Sequence, residues 1–129
     1  MEVLEPRWGA IAIDYKNGAF GAVSNKRSKE AARKQAISSC IRNGGAQDAC
    51  VKDSVVYSNK CGVVVESADF TVFFTGEEQT RTKLDALWAC DHHSQMQCEI
   101  LYAECSYEGQ GPCSFEPLPC RIISAAPKP

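Results

Sequence analysis

The residues best suited to chemistry in this chain are its thiols, and their pattern argues against their being used for it. Eight cysteines fall at positions 40, 50, 61, 90, 98, 105, 113 and 120. No C-x-x-C pair occurs, and the spacing matches no zinc ribbon or zinc finger. An even count of this size in a short chain reads as the disulfide framework of an oxidising compartment. A Cys–His nucleophile pair needs a free thiol, and complete pairing leaves none. The two histidines, His92 and His93, are adjacent and follow Asp91. Consecutive side chains on a loop diverge, so these three residues do not read as a metal site. There is no G-x-S-x-G, and the serines at 24, 28, 38, 39, 54 and 58 suit caps, turns and strand surfaces. The carboxylate pair Glu77-Glu78 stands just before a predicted helix, where acidic residues favour the helix dipole. The sequence therefore calls for no catalytic residue, no metal and no cofactor.

The elements that hold these residues must fit one domain, since 129 residues suffice for a single core. Hydrophobic residues make up 44% and charged residues 23%, as in an ordinary globular protein. Apolar runs such as Gly62-Val63-Val64-Val65 fall far short of the ~20 residues of a membrane-spanning helix. A net charge of −2 provides no field to recruit nucleic acid. That balance conceals an asymmetry. Residues 1–60 carry ten Lys/Arg against six Asp/Glu, and residues 61–129 carry four against ten. The basic group centres on Lys26, Arg27, Lys29, Arg33 and Lys34. The acidic group draws on Glu66, Asp69, Glu77, Glu78, Asp85 and Asp91.

An internal repeat organises the chain. Trp8-Gly9-Ala10-Ile11-Ala12 is echoed by Cys61-Gly62-Val63-Val64-Val65, each a short apolar run that predicts a buried strand. Asn17-Gly18 predicts a hairpin turn into Ala19–Val23, and Phe70–Phe74 is the corresponding return strand. Ser28 is a hydroxyl N-cap for a helix running to about Cys40, with Ala32, Ala36 and Cys40 on one face. A second helix is expected from Thr80 to Cys90, with Leu84, Leu87 and Trp88 buried. Strands from Val51 to Tyr57 and from Glu99 to Glu104 complete the two units.

The predicted fold is α+β. Two strand–strand–helix–strand units form a mostly antiparallel sheet of about six strands, with two helices packed on it. Residues 1–7 form an N-terminal extension and 8–121 the disulfide-rich domain. Within it, repeat 1 spans about 8–60, repeat 2 about 61–105, and an added stapled loop 106–121. Residues 122–129, with Pro127 and Pro129, read as a flexible tail.

The repeat also orders the disulfides. Cys40–Cys50 and Cys90–Cys98 are equivalent links from a helix end to the next strand. Cys113–Cys120 staples the added loop, and Cys61–Cys105 remains as a clasp between the halves. In the chain-entropy account the short loops contribute about 2–3 kcal/mol each and the long one about 4 kcal/mol.

These same residues carry a family resemblance. Trp8-Gly9-Ala10-Ile11-Ala12, Ser28-x-x-Ala31-Ala32-x-x-x-Ala36-x-x-x-Cys40, Cys61-Gly62, Cys90 and Cys98 resemble the bacterial family called domain of unknown function 4189 over about residues 8–105. The resemblance implies an exported protein and transfers no catalytic motif. Met1–Pro6 has neither a basic region nor an apolar one, so the expectation is a mature chain with its export signal trimmed and an initiator Met added.

A stapled scaffold with segregated charge and no catalytic constellation points to a binding protein. The expected location is periplasmic or secreted, and the expected partner another protein rather than nucleic acid. The expected contact residues are Phe73, Glu77, Glu78, Asp91, His92, His93, Phe115 and Glu116. Aromatic Phe73 faces away from Phe70 and Phe74, and Phe115 sits inside the stapled loop as an anchor. The leading function is neutralisation of another protein, as a periplasmic immunity protein against a secreted toxin or an envelope-enzyme inhibitor. A secreted effector acting on a host or competitor is the alternative, and a minor hydrolase the third.

Overall fold

The structure is a computed structural model that describes residues 5–94 and 97–108. Its elements run β1 (Trp8–Asp14), β2 (Ala19–Lys26), α1 (Lys29–Arg42), α2 (Gln47–Lys52), β3 (Ser54–Ser58), β4 (Lys60–Glu66), β5 (Thr71–Gly76), α3 (Gln79–His93) and β6 (Glu99–Ser106). The class is α+β, with every strand pairing antiparallel.

The six strands form two sheets rather than one. Their orders are β2-β1-β3 and β5-β4-β6, so each unit places its first strand in the centre and flanks it with its own second and third. A unit that pairs its own strands leaves the other half to be met by side chains. The chain passes from one sheet to the other through the single residue Asn59, at φ 59°. A third helix, α2, carries Cys50, so the Cys40–Cys50 bond joins α1 to α2 rather than to a strand, and β3 begins at Ser54 rather than at Val51.

Four layers result: α1, the first sheet, the second sheet and α3. Alternation along the central strands sorts their side chains between two environments. Ala10 and Ala12 face Ala32, Ala36 and Cys40 of α1, whose small side chains let the helix lie close to the sheet. Val63 and Val65 face Ala86 and Cys90 of α3, with Phe70, Val72 and Phe74 around them. Ile11 and Val64 point the other way and meet between the sheets, joined by Tyr57, Phe20, Phe73 and Tyr102. Burial on both faces explains why β1 and β4 read as continuous apolar runs.

A glycine near the start of each central strand, Gly9 in β1 and Gly62 in β4, serves that inter-sheet layer. A Cβ on Gly9 would run into the Tyr57 ring, and one on Gly62 into the Tyr57 hydroxyl. Tyr57 thus spans the seam by lying over one glycine and ending against its counterpart in the other repeat.

Two carboxylates fasten the hairpin turns. Asp14 accepts from the backbone of Lys16 and Asn17 and from Ala46 N at 2.8 Å, tying the first turn to the loop after α1. Asp69 accepts from Ser67 Oγ at 2.6 Å and Ser94 Oγ at 2.7 Å, tying the second turn to the end of α3. The expected N-cap is present, with Ser28 Oγ accepting from Ala31 N at 3.1 Å.

Three disulfides occur among the described residues, and no free cysteine: Cys40–Cys50, Cys90–Cys98 and Cys61–Cys105. The last is not a clasp between the halves. Cys61 on β4 and Cys105 on β6 are direct cross-strand neighbours within the second sheet. The halves are held instead by the apolar seam and by Ser106, whose Oγ accepts from Asn25 N at 2.8 Å and whose carbonyl accepts from Asn59 N at 2.6 Å. The pair Cys113–Cys120 lies outside the described residues.

Candidate functional site

The candidate site is the outward face of α3. Thr82, Ala86 and Cys90 are the helix's buried residues. At ~100° per residue, positions 84 and 88 then lie nearly opposite them. Leu84 is 60% exposed and Trp88 64% exposed, the two most exposed large apolar side chains of the described residues. This corrects their expected place in the core. The distance between helix and sheet is set by the small residues: Leu87 packs half-buried against the Val63–Val65 cluster as expected, and Leu84 and Trp88 are left in solvent.

His92 extends the stripe by one turn. Its ring stacks on Trp88 with centroids 3.8 Å apart, and its Nδ1 lies 2.9 Å from the Trp88 carbonyl oxygen. His93 turns to the other side and meets Phe70 edge-on at 6.2 Å. Asp91, His92 and His93 form the exposed last turn of α3 rather than a loop, because the helix continues three residues past Cys90. Their side chains diverge, and no cluster of metal-ligating residues is found among the described residues.

Charge surrounds the stripe. Arg81 Nε donates to Asp85 Oδ1 at 3.1 Å on the exposed surface. Glu77 and Glu78 are exposed at the start of the helix, where Glu78 holds the N-cap position without a side-chain hydrogen bond. A shallow groove runs between the end of β5 (Thr75, Gly76) and the first turns of α3 (Glu78, Arg81, Asp85). Its rim is fixed from below. Tyr107 Oη donates to the Glu77 carbonyl at 2.9 Å and contacts Cys61 Sγ at 3.1 Å, and Gln79 Nε2 donates to the Ala103 carbonyl at 2.9 Å. Burial and the Glu78 charge raise the Tyr107 phenol above its ordinary range.

The expected contact residues thus separate. Glu77, Glu78, Asp91, His92 and His93 share the α3 face or its ends, with Leu84 and Trp88 added to them. Phe73 belongs elsewhere: it packs in the seam against Ile11, Tyr57 and Val64. Phe115 and Glu116 lie outside the described residues. The signal for the missed pair was the repeat itself, since shifting Ala32, Ala36 and Cys40 by fifty residues marks 82, 86 and 90 as the buried line.

The matching face of α1 is different in kind. At the positions of Leu84, Trp88 and His92 it carries Lys34, Ser38 and Arg42, lining a polar groove with Val23 and Ala31. One scaffold therefore presents a basic polar face on one side and an apolar, acid-rimmed face on the other.

The fold and this face define a disulfide-stapled two-sheet α+β protein with an uncovered aromatic stripe. No helix among the described residues is long and apolar enough to cross a membrane. The chain belongs to the family described as "Domain of unknown function (DUF4189)", whose model matches residues 8–105. Comparison with curated proteins and with solved structures returned no match.

Proposed function

We propose that this is an exported bacterial binding protein that recognises and neutralises another protein, its concrete form being a periplasmic immunity protein against a secreted toxin. The observation that carries the reading is the exposure of Leu84 and Trp88 on a rigid helix. Aromatic side chains fixed on stapled scaffolds make contact area at low entropic cost, and interfaces concentrate their affinity in such anchors. Three disulfides fit an oxidising compartment. Glu77, Glu78, Asp85 and Asp91 around the anchor favour a partner with a basic rim. An inhibitor of an envelope enzyme would use the same face in the same way.

The test is sibling competition. A deletion strain is grown in contact with its wild-type parent and complemented with either the wild-type gene or Trp88→Ser. The reading expects the deletion strain to be killed or outcompeted, rescue by the wild-type gene, and little rescue by the variant. Unimpaired growth of the deletion strain beside its parent would overturn it.

A further inference from the structure

The outward residues of α3 recur as Arg81, Leu84, Trp88 and Asp91, alternately three and four residues apart. That is the spacing of a helix–helix seam. The order cation, apolar, apolar, carboxylate is its own complement when the helix is reversed. It is also centred, because Ala86 lies seven residues from either end of α3. We propose that this face binds a second copy of the chain, the two α3 helices lying antiparallel about a twofold axis at the level of Ala86. Each Trp88 then packs on Leu84 of the partner subunit, and each Arg81 meets Asp91 of the partner subunit. The inference rests on the reading of this stripe as a protein-binding face and names an occupant that a target must displace.

Charge selects this arrangement. A parallel pair would set Arg81 against Arg81 and Asp91 against Asp91. The antiparallel pair matches them, opposes the two helix dipoles, and brings the Glu77-Glu78 end of one helix toward the His92-His93 end of the other. The face of α1 offers no equivalent, since Ala31, Lys34, Ser38 and Ile41 occupy the same four positions, with Arg33 and Arg42 beside them. Twofold contacts use one patch on both subunits, and this patch meets that condition. Asp91 makes no ion pair among the described residues, and the Arg81–Asp85 bond is an exposed one of small worth. A 15-residue helix is only ~22 Å long. The contact therefore falls below the roughly 800 Å² per partner of a tight complex, and half-association is expected near 100 μM, to order of magnitude.

Sedimentation equilibrium from roughly 10 μM to 1 mM tests this on the full chain. The wild type should rise from the mass of one chain towards two, and Trp88→Ser should stay at one. Arg81→Asp and Asp91→Arg should each weaken association about tenfold, and the double variant R81D/D91R should restore most of it, because only pairing across the twofold is repaired by the swap. Circular dichroism melts of the four variants establish that each is folded. A wild type that stays at the mass of one chain, a dimer indifferent to Trp88→Ser, or a double variant no tighter than the single ones would each overturn the inference. The target-binding reading is judged separately, by the sibling competition.

Discussion

Trp88 on α3 and Ser38 on α1 occupy the same place in the two repeats, each two residues before the buried cysteine that marks the helix's inner line, Cys90 and Cys40. One is an indole 64% exposed, the other a hydroxyl beside a polar groove. Because the serine suffices in the first repeat, the same layer geometry does not require a tryptophan in the second. The chain contains its own control: covering the sheet needs Ala36 or Ala86, and the residue on the far side is free to serve something outside the fold.

The seam between the sheets should make the protein sensitive to alkali. Burial raises the Tyr102 phenol to about 12, and burial with the neighbouring Tyr102 and Glu104 raises Tyr57 further. The folded state therefore favours the neutral phenols. Their contribution is fully present below the unfolded value of about 10 and is lost as pH rises through the folded values. Titration of tyrosinate absorbance should show late ionisation of these two among the four tyrosines, coincident with unfolding. All four ionising reversibly near pH 10 in the folded protein would count against the buried seam.

The hairpin carboxylates give an acid limit of the opposite sign. Asp14 is lowered mainly by the Ala46 and Asn17 amides, and Asp69 by the Ser67 and Ser94 hydroxyls. A depressed folded pKa stabilises the fold above the unfolded value of about 3.9, and that stabilisation is lost as pH falls through the folded value. Urea midpoints measured between pH 5 and pH 2 should fall with pH. In Asp14→Asn and Asp69→Asn the fall should be shallower, from a lower starting midpoint. Unchanged slopes in both variants would show that these contacts do not distinguish the folded state.

Gly62→Ala tests the fit of Tyr57 into the seam. The new methyl group would coincide with the Tyr57 hydroxyl and crowd Ile11. Overpacking of this kind costs about 1–3 kcal/mol. Pairing the change with Tyr57→Phe removes the colliding oxygen, which makes no hydrogen bond of good geometry. The double variant should therefore recover part of the loss in urea unfolding.

Much of the fold was legible because repeated signals agree. Trp8-Gly9 and Cys61-Gly62 mark equivalent strands, Ser28 marks a helix start, and the symmetric cysteines Cys40 and Cys90 mark helix ends. What the pattern does not encode is which strands exchange hydrogen bonds. Val63, Val64 and Val65 read as one buried run whether the far face meets a helix or another sheet, so two sheets look like one. The α3 face was hidden for a related reason. Leu84 and Trp88 are the apolar residues that attract attention, whereas a helix lying close on a sheet turns Thr82 and Ala86 inward. The place of Phe73 in the seam is hidden in the same way. Its alternation away from Phe70 and Phe74 was legible, and the sheet waiting on that side was not.

The α3 stripe serves association and not folding. The direct measurement is urea unfolding of the double variant Leu84→Lys/Trp88→Ser, which writes the first repeat's residues onto the second. Its stability should lie within about 0.5 kcal/mol of wild type, as for surface substitutions, measured at concentrations below self-association. A loss of about 2 kcal/mol or more would place these side chains in the core and contradict that role.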